Sequence, residues 1–290
     1  MRATVTLVLA AALLATAVAG ASLQPAPAPA LDLRTRAWRP GEVLRVEWST
    51  PNAVDGSGAI VRAFGRSAPT YRIADRRIQA LVGVDLDQAP GEYEVALVSA
   101  AGQVLAASRI TIERARFTTR TLTVDPGFVN PPKAALARIR RESALMADVF
   151  ARPAASRFWS GPVIRPVPHE ANGRFGSRSV FNGEIRNPHT GTDFLSPAGT
   201  AILAPLAGRI VVAQDLYFSG GTVIIDHGLG LFSLLAHMSR IDATAGRMVA
   251  AGDVVGLVGA TGRVTGAHLH WGMRLGGARV DPLALMDVLK

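Results

Sequence analysis

Gly262-Arg-Val-Thr-Gly-Ala-His-Leu-His-Trp271 places two of the chain's six histidines one residue apart, between a glycine and an apolar run. In an extended strand alternate side chains share a face. The stretch therefore predicts a strand over 268–275 with His268 and His270 on one side and Leu269 and Trp271 on the other. One face is then a core and the other a pair of imidazoles.

Two imidazoles do not make a metal site. Zinc takes about four donors, three of them from protein where one position stays open. His189 and Asp193, in Asn187-Pro-His-Thr-Gly-Thr-Asp193, are the natural candidates for the rest, and Gly191 is expected to let the backbone bend between them. A fifth position is His237, in Leu234-Leu-Ala-His-Met238. Strand alternation groups it with Ser233 and Leu235, and that face is expected to carry the imidazole to a site and not into the core.

The chain's 290 residues, 49% of them hydrophobic, are enough for two domains with buried cores. Residues 1–21 combine Met1-Arg2, an apolar run from Leu7 to Val18 and small residues ending at Ala19 or Ala21. That is the layout of a cleaved secretory signal, so a periplasmic or secreted protein is expected. Contact with a membrane is expected only if this segment stays uncleaved as an anchor. With no cysteine in the chain, a lipoprotein anchor, disulfides, thiolate ligands and a thiol nucleophile are excluded. The net charge of +9 is almost wholly arginine, with lysine only at Lys133 and Lys290. It suits attraction to anionic envelope polymers. The arginines are scattered and form no basic stripe interleaved with aromatics, so no nucleic-acid partner is expected.

Residues 22–30 read as a Pro/Ala linker. From 31 to 116 short alternating runs follow Pro-Gly-Glu turns at Pro40 and Pro90, which predicts a small β-sandwich-like domain. It has no histidine, and its carboxylates are expected on solvated strand faces, so binding or positioning is its expected role. Residues 117–159 form a connector with an amphipathic helix from Lys133 to Phe150, expected to dock between domains. From 160 to 290 apolar runs separated by glycine-rich turns predict an antiparallel β-fold. Asp281 before Pro282 is expected to cap a short terminal helix. His169 and His227 are expected in structural or surface roles, His227 in a hairpin turn.

Over roughly 160–285 the chain resembles the lysostaphin/LytM-type zinc metallopeptidases that cut cell-wall peptides. The resemblance rests on Gly173-Arg-Phe-Gly-Ser-Arg178, the His189 and Asp193 pair, Val223-Ile-Ile-Asp-His-Gly228, Ala236-His-Met238, Gly259-Ala-Thr-Gly-Arg-Val-Thr-Gly266 and His268-Leu-His270. Singly these are weak; in this order they are specific. The connector around Phe128-Val-Asn-Pro-Pro132 resembles, more loosely, exported Gram-negative members.

The resemblance implies a mainly β protein whose second domain is a small antiparallel sheet with a groove. It further implies one Zn²⁺ per chain held by His189, Asp193 and His270. His237 and His268 would be the unligated catalytic pair, one accepting a proton and the other stabilising the oxyanion or protonating the leaving amine. The implied partners are peptidoglycan stem peptides, cut at their cross-links by D,D-endopeptidase chemistry, and other cell-wall enzymes. The alternative is a non-catalytic LytM-like regulator that binds and activates cell-wall amidases. Such relatives lack ligands that are all present here, so the enzyme ranks above the regulator. Other hydrolase motifs, His-Glu-x-x-His or Gly-x-Ser-x-Gly, are absent from the sequence. The stretch Gly176–Asn187, with Arg178, Asn182, Glu184 and Arg186, is expected to form a loop at the groove that either lines it and sets its preference or blocks it.

Overall fold

A computed structural model describes residues 30–50, 58–123, 131–172, 175–185 and 187–290. The expected signal, most of the linker, Phe128–Asn130 of the connector, Gly173, Arg174 and Arg186 lie outside the described residues.

The turn-and-alternation pattern of the first domain becomes seven strands: β1 (Asp32–Arg34), β2 (Val43–Ser49), β3 (Ile60–Ala63), β4 (Arg66–Ala74), β5 (Arg77–Gly83), β6 (Gly91–Val98) and β7 (Val104–Ile112). They run antiparallel in the order β1-β2-β5-β4-β3-β6-β7. β4 pairs with β3 through Arg66–Pro69 and with β5 from Thr70 onward. The sheet therefore folds over along β4, and its two halves enclose Leu44, Val46, Val61, Val95, Leu97 and Ile112.

The carboxylates here depart from expectation. Glu92 and Glu94 are exposed, but Glu42, Glu47 and Asp85 are buried. Arginine supplies the physical reason, because a buried carboxylate is tolerated when a guanidinium neutralises it. Glu42 takes Arg36 at 2.8 Å and Arg39 at 3.1 Å, and Glu47 takes Arg45 at 3.1 Å and also Arg77.

Between the domains come β8 (Thr119–Leu122), a 3₁₀ turn at Lys133–Ala135 and the helix α1 (Leu136–Ala151). The helix does not dock between domains. Met146, Val149 and Phe150 lie on Val212, Ile224 and Phe232 of the second domain. Its polar side grips the same domain: Arg138 reaches Asp215 at 2.8 Å, and Glu142 accepts from the Tyr217 amide at 2.8 Å.

The second domain comprises β9 (Arg178–Phe181), β10 (Glu184–Ile185), β11 (Gly191–Phe194), β12 (Ala201–Leu203), β13 (Gly208–Leu216), β14 (Gly220–Gly228), β15 (Leu231–Ile241), β16 (Met248–Val249), β17 (Val254–Val258), β18 (Leu269–Leu275), β19 (Ala278–Val280) and the helix α2 (Pro282–Val288). The main antiparallel sheet has the order β11-β18-β15-β14-β13-β16. The stretch expected as a loop over 176–187 is a β9–β10 hairpin, and β8 from the connector pairs parallel with β9. Trp271, Phe194, Leu235, Ile202 and Leu206 are buried in the core beneath the sheet.

The two domains share a closely packed seam. Val43 and Leu81 of the first belong to the core of the second. A Cβ at Gly83 would lie 2.7 Å from that of Ala278, so only glycine permits this approach. Around it Arg279 reaches Asp85 at 2.6 Å and Asp87 at 2.7 Å, and Arg36 reaches Asp281 at 2.7 Å. Asp281 caps α2 as expected, accepting from the Leu283 amide at 3.0 Å. Among the described residues no helix is long and apolar enough to cross a membrane.

Candidate metal centre

β11 and β18 lie side by side with Asp193 directly opposite His270, which points both side chains to the same face. His189 enters from the segment before β11, anchored by backbone bonds with Ser177 and Gly176. Three donor atoms then converge. His189 Nε2 lies 3.0 Å from Asp193 Oδ1, His270 Nδ1 lies 3.0 Å from the same oxygen, and the two nitrogens are 3.0 Å apart. Both rings and the carboxylate are half-buried.

Gly191 serves this cluster differently from expectation. It sits within β11 in extended backbone, and a Cβ there would lie 2.7 Å from the His270 ring and 2.6 Å from the Trp271 carbonyl. The glycine leaves room for a ligand; it does not bend the chain.

The donor set suits a divalent cation. Two neutral imidazoles and one carboxylate form the mixed nitrogen and oxygen set of open zinc sites. Ligation needs deprotonated donors. Burial holds His270 below the ordinary histidine value. Burial alone would raise Asp193, but hydrogen bonds from His189 and His270 outweigh it and keep the carboxyl well below the usual carboxylate range.

His268 and His237 flank the cluster. His268 lies just before β18, bridged to Gly259, with its Nε2 3.8 Å from Asp193 Oδ1. Its Nδ1 donates to the Gly266 carbonyl at 2.9 Å. The His237 ring centroid is 4.8 Å from that of His268 and 5.9 Å from that of His270, and its Nδ1 donates to the Thr261 carbonyl at 2.9 Å. In the neutral form of either ring, a proton on Nδ1 puts the lone pair on Nε2. Burial, with a smaller push from His270, takes His237 down to a pKa of about 4.

Plain alternation does not put His237 there. Ser233 and Leu235 face the core with Trp271, so a regular strand would send His237 inward with them. Instead the β14–β15 register slips between Gly221 and Val223, and His237 has φ = 67°. A bulge with a left-handed residue re-aims one side chain onto the opposite face. Thr261 is part of this device and was not singled out by sequence. Its carbonyl orients His237, while its hydroxyl donates to the Met238 carbonyl at 2.8 Å and accepts from the Gly221 amide at 2.9 Å. A threonine between Gly259 and Gly262, in a loop preceding a His-x-His strand, is the signal that could have pointed to it.

His227 and His169 take no part in the cluster. His227 is not in a turn: it is a fully buried residue of β14, because the hairpin is made one residue later by Gly228, Leu229 and Gly230, all at positive φ. Its Nδ1 is 2.9 Å from the Ala207 carbonyl and its Nε2 2.8 Å from the Ser233 hydroxyl.

A two-histidine, one-carboxylate cluster on an antiparallel sheet, with two further imidazoles beside it, defines a class of metal-binding hydrolase fold. The sequence profile of Peptidase family M23 matches residues 187–282. A crystallised Pseudomonas aeruginosa protein, described only by its family as an M23 peptidase, superposes with a TM-score of 0.68 at 31% identity, covering 87% of this chain and 96% of that one. The chain belongs to peptidase family M23.

Peptidoglycan DD-endopeptidase ShyA of Vibrio cholerae is 38% identical over 96 residues, and DD-carboxypeptidase/endopeptidase Mpg of Neisseria meningitidis is 39% identical over 97. Each match covers 33% of this chain and 22% of the relative, so the chain aligns with less than a quarter of the length of these curated relatives.

Proposed function

We propose that the protein is a zinc-dependent endopeptidase acting on peptidoglycan peptide cross-links outside the cytoplasm, after export directed by residues 1–21. The observation that carries this reading is the triangle of donor atoms 3.0 Å apart, with the rings of His268 and His237 beside it. The names of the relatives supply the substrate class. The chain is read as a positioning domain over 31–116, a connector over 117–159 and a catalytic domain over 160–290.

His189, Asp193 and His270 would hold the ion. Bound there, it supplies Lewis-acid polarisation of a peptide carbonyl and acidification of water. The chain's own residues handle the protons. His268 and His237 each turn Nδ1 to a carbonyl, that of Gly266 or Thr261, which fixes the ring from behind and leaves Nε2 as the nitrogen open to proton exchange. One accepts the proton released when water adds to the scissile carbonyl. That proton is then returned, directly or by way of the other imidazole, to the departing amine as the C–N bond breaks, so that water and peptide become acid and amine.

The test is hydrolysis of purified cross-linked muropeptides by the metal-loaded protein, followed by mass spectrometry, with and without a chelator. Cleavage at the cross-link that the chelator abolishes supports the reading. Metal-loaded protein that leaves every cross-link intact overturns it.

A further inference from the structure

The face that carries His270 continues along β18 toward α1. In the β15–β18 register Ala236, Leu234 and Phe232 stand opposite His270, Gly272 and Arg274, so these residues line one floor. Between that floor and the helix lies an open cavity of about 210 Å³, walled by Met146, Phe150 and Leu234 and ended by Arg274. The His270 ring is a wall shared with the metal centre. Its Nδ1 belongs to the donor triangle, and its Nε2 lies 3.5 Å from where a Gly272 Cβ would stand, on the cavity side. Gly272 thus keeps the floor open between ligand and arginine.

The chemistry of the lining is one-sided. It contains Arg274, Arg279 and an imidazole, and no aspartate or glutamate. Arg279 is spoken for by Asp85 and Asp87. Arg274 lies over the Phe150 ring at 4.7 Å, and no described carboxylate pairs with it. Burial and the neighbouring Arg279 lower its pKa, only partly offset by Asp85, as expected of a guanidinium short of an anion.

We infer that this cavity is a substrate subsite that takes the free carboxylate end of a peptide, the carboxylate on Arg274 and the aliphatic part of the strand against Met146, Phe150 and Leu234. Four steps along the strand lead from His270 to Arg274, about 13 Å. A carboxylate so held sits roughly three to four extended residues from a carbonyl at the donor cluster. The inference rests on the peptidase reading and adds a preference: cross-linked peptides with an uncapped terminus on that side are favoured over amidated ones.

The experiment compares a cross-linked stem-peptide dimer with free terminal carboxylates and the same dimer converted to terminal amides. For the metal-loaded protein kcat/KM is expected to be about tenfold higher on the free carboxylate, the scale of one charge-assisted hydrogen-bonded pair. In Arg274→Gln the ratio is expected to fall to about one, and Arg274→Lys to restore part of it. A ratio that persists in a folded Arg274→Gln protein overturns the subsite.

A second measurement needs neither activity nor a variant. Phenylglyoxal modification of the chelated wild-type protein is mapped by mass spectrometry with each dimer present. Protection of Arg274 by the carboxylate dimer and not by the amide upholds the subsite; equal modification overturns it. Should the loaded protein cut neither dimer, the peptidase reading falls and this mapping still decides the subsite.

Discussion

His227 and His237 sit on neighbouring strands of one sheet, both buried, and both driven by burial to a pKa of about 4. By those measures they are the same residue. They differ in what is left over. His227 has a partner on each ring nitrogen, whereas among the described residues His237 has one on Nδ1 only, and its left-handed backbone sets the ring beside those of His268 and His270. Burial and a shifted pKa accompany structural and functional histidines alike. An unspent lone pair on a strained backbone separates them.

The largest effect that would sharpen this contrast belongs to the triangle both histidines stand apart from. Asp193→Ala should remove the bound metal equivalent, read by elemental analysis, and reduce muropeptide hydrolysis by about a thousandfold or more. Full metal content in that variant would break the assignment of the donors.

The pair itself comes next. His237→Ala should lower kcat/KM by roughly 10²–10⁴, the range of general acid–base groups, while shifting the melting temperature little. His227→Ala should do the reverse. It takes the imidazole from the Ala207 carbonyl and the acceptor from the Ser233 hydroxyl, whose oxygen keeps only the Trp271 indole N–H, and it opens a cavity, costing about 2–4 kcal/mol in denaturant unfolding, with turnover per folded molecule preserved. If the two variants exchanged phenotypes, the comparison would be wrong.

Acid should reveal His227 in a different way. Its folded pKa of about 4 lies below the ordinary 6.5, so between those values the unfolded chain binds the extra proton. Stability should therefore fall as pH drops from about 6.5 to 4, by on the order of 3 kcal/mol from this residue. Denaturant midpoints across that window should show a shallower slope in His227→Gln.

The seam between domains gives the smallest effect. Asp85 is held at about 2: burial would raise it, but hydrogen bonds from Arg279 win. Its contribution is present above about 3.8 and is lost as pH falls through 2. Allowing for solvent screening, Asp85→Asn should cost about 1 kcal/mol near neutral pH. Hydrolysis should change less than threefold, since Asp85 touches none of the donor residues.

Much of this was legible in the sequence. The alternation of His268-Leu-His-Trp271 announces a two-faced strand, and the short turn-bounded runs announce antiparallel β structure. The site residues are recognisable because they lie in short motifs whose glycines keep their spacing. What escaped depends on contacts across the fold. Alternation groups His237 with Ser233 and Leu235 on a face expected to reach the site, yet that face is the core, and the bulge that turns His237 away from it is a property of pairing with β14. The burial of Glu42, Glu47 and Asp85 depends on arginines up to 194 residues away in sequence, as at Arg279. Gly191 reads locally as a hinge, and only the His270 ring packed beside it reveals a gap kept open.

Asp281 ties several of these parts together. One oxygen caps α2 and accepts from the Thr192 hydroxyl at 3.0 Å, and the other takes Arg36 from the first domain. Thr192 immediately precedes Asp193 and faces away from the ion-binding side. The first domain, which supplies none of the three donors of the cluster, thereby braces the rear of the strand that presents a ligand. Severing it would not simply shorten the protein. It would unclamp the anvil against which the coordinating carboxylate is held.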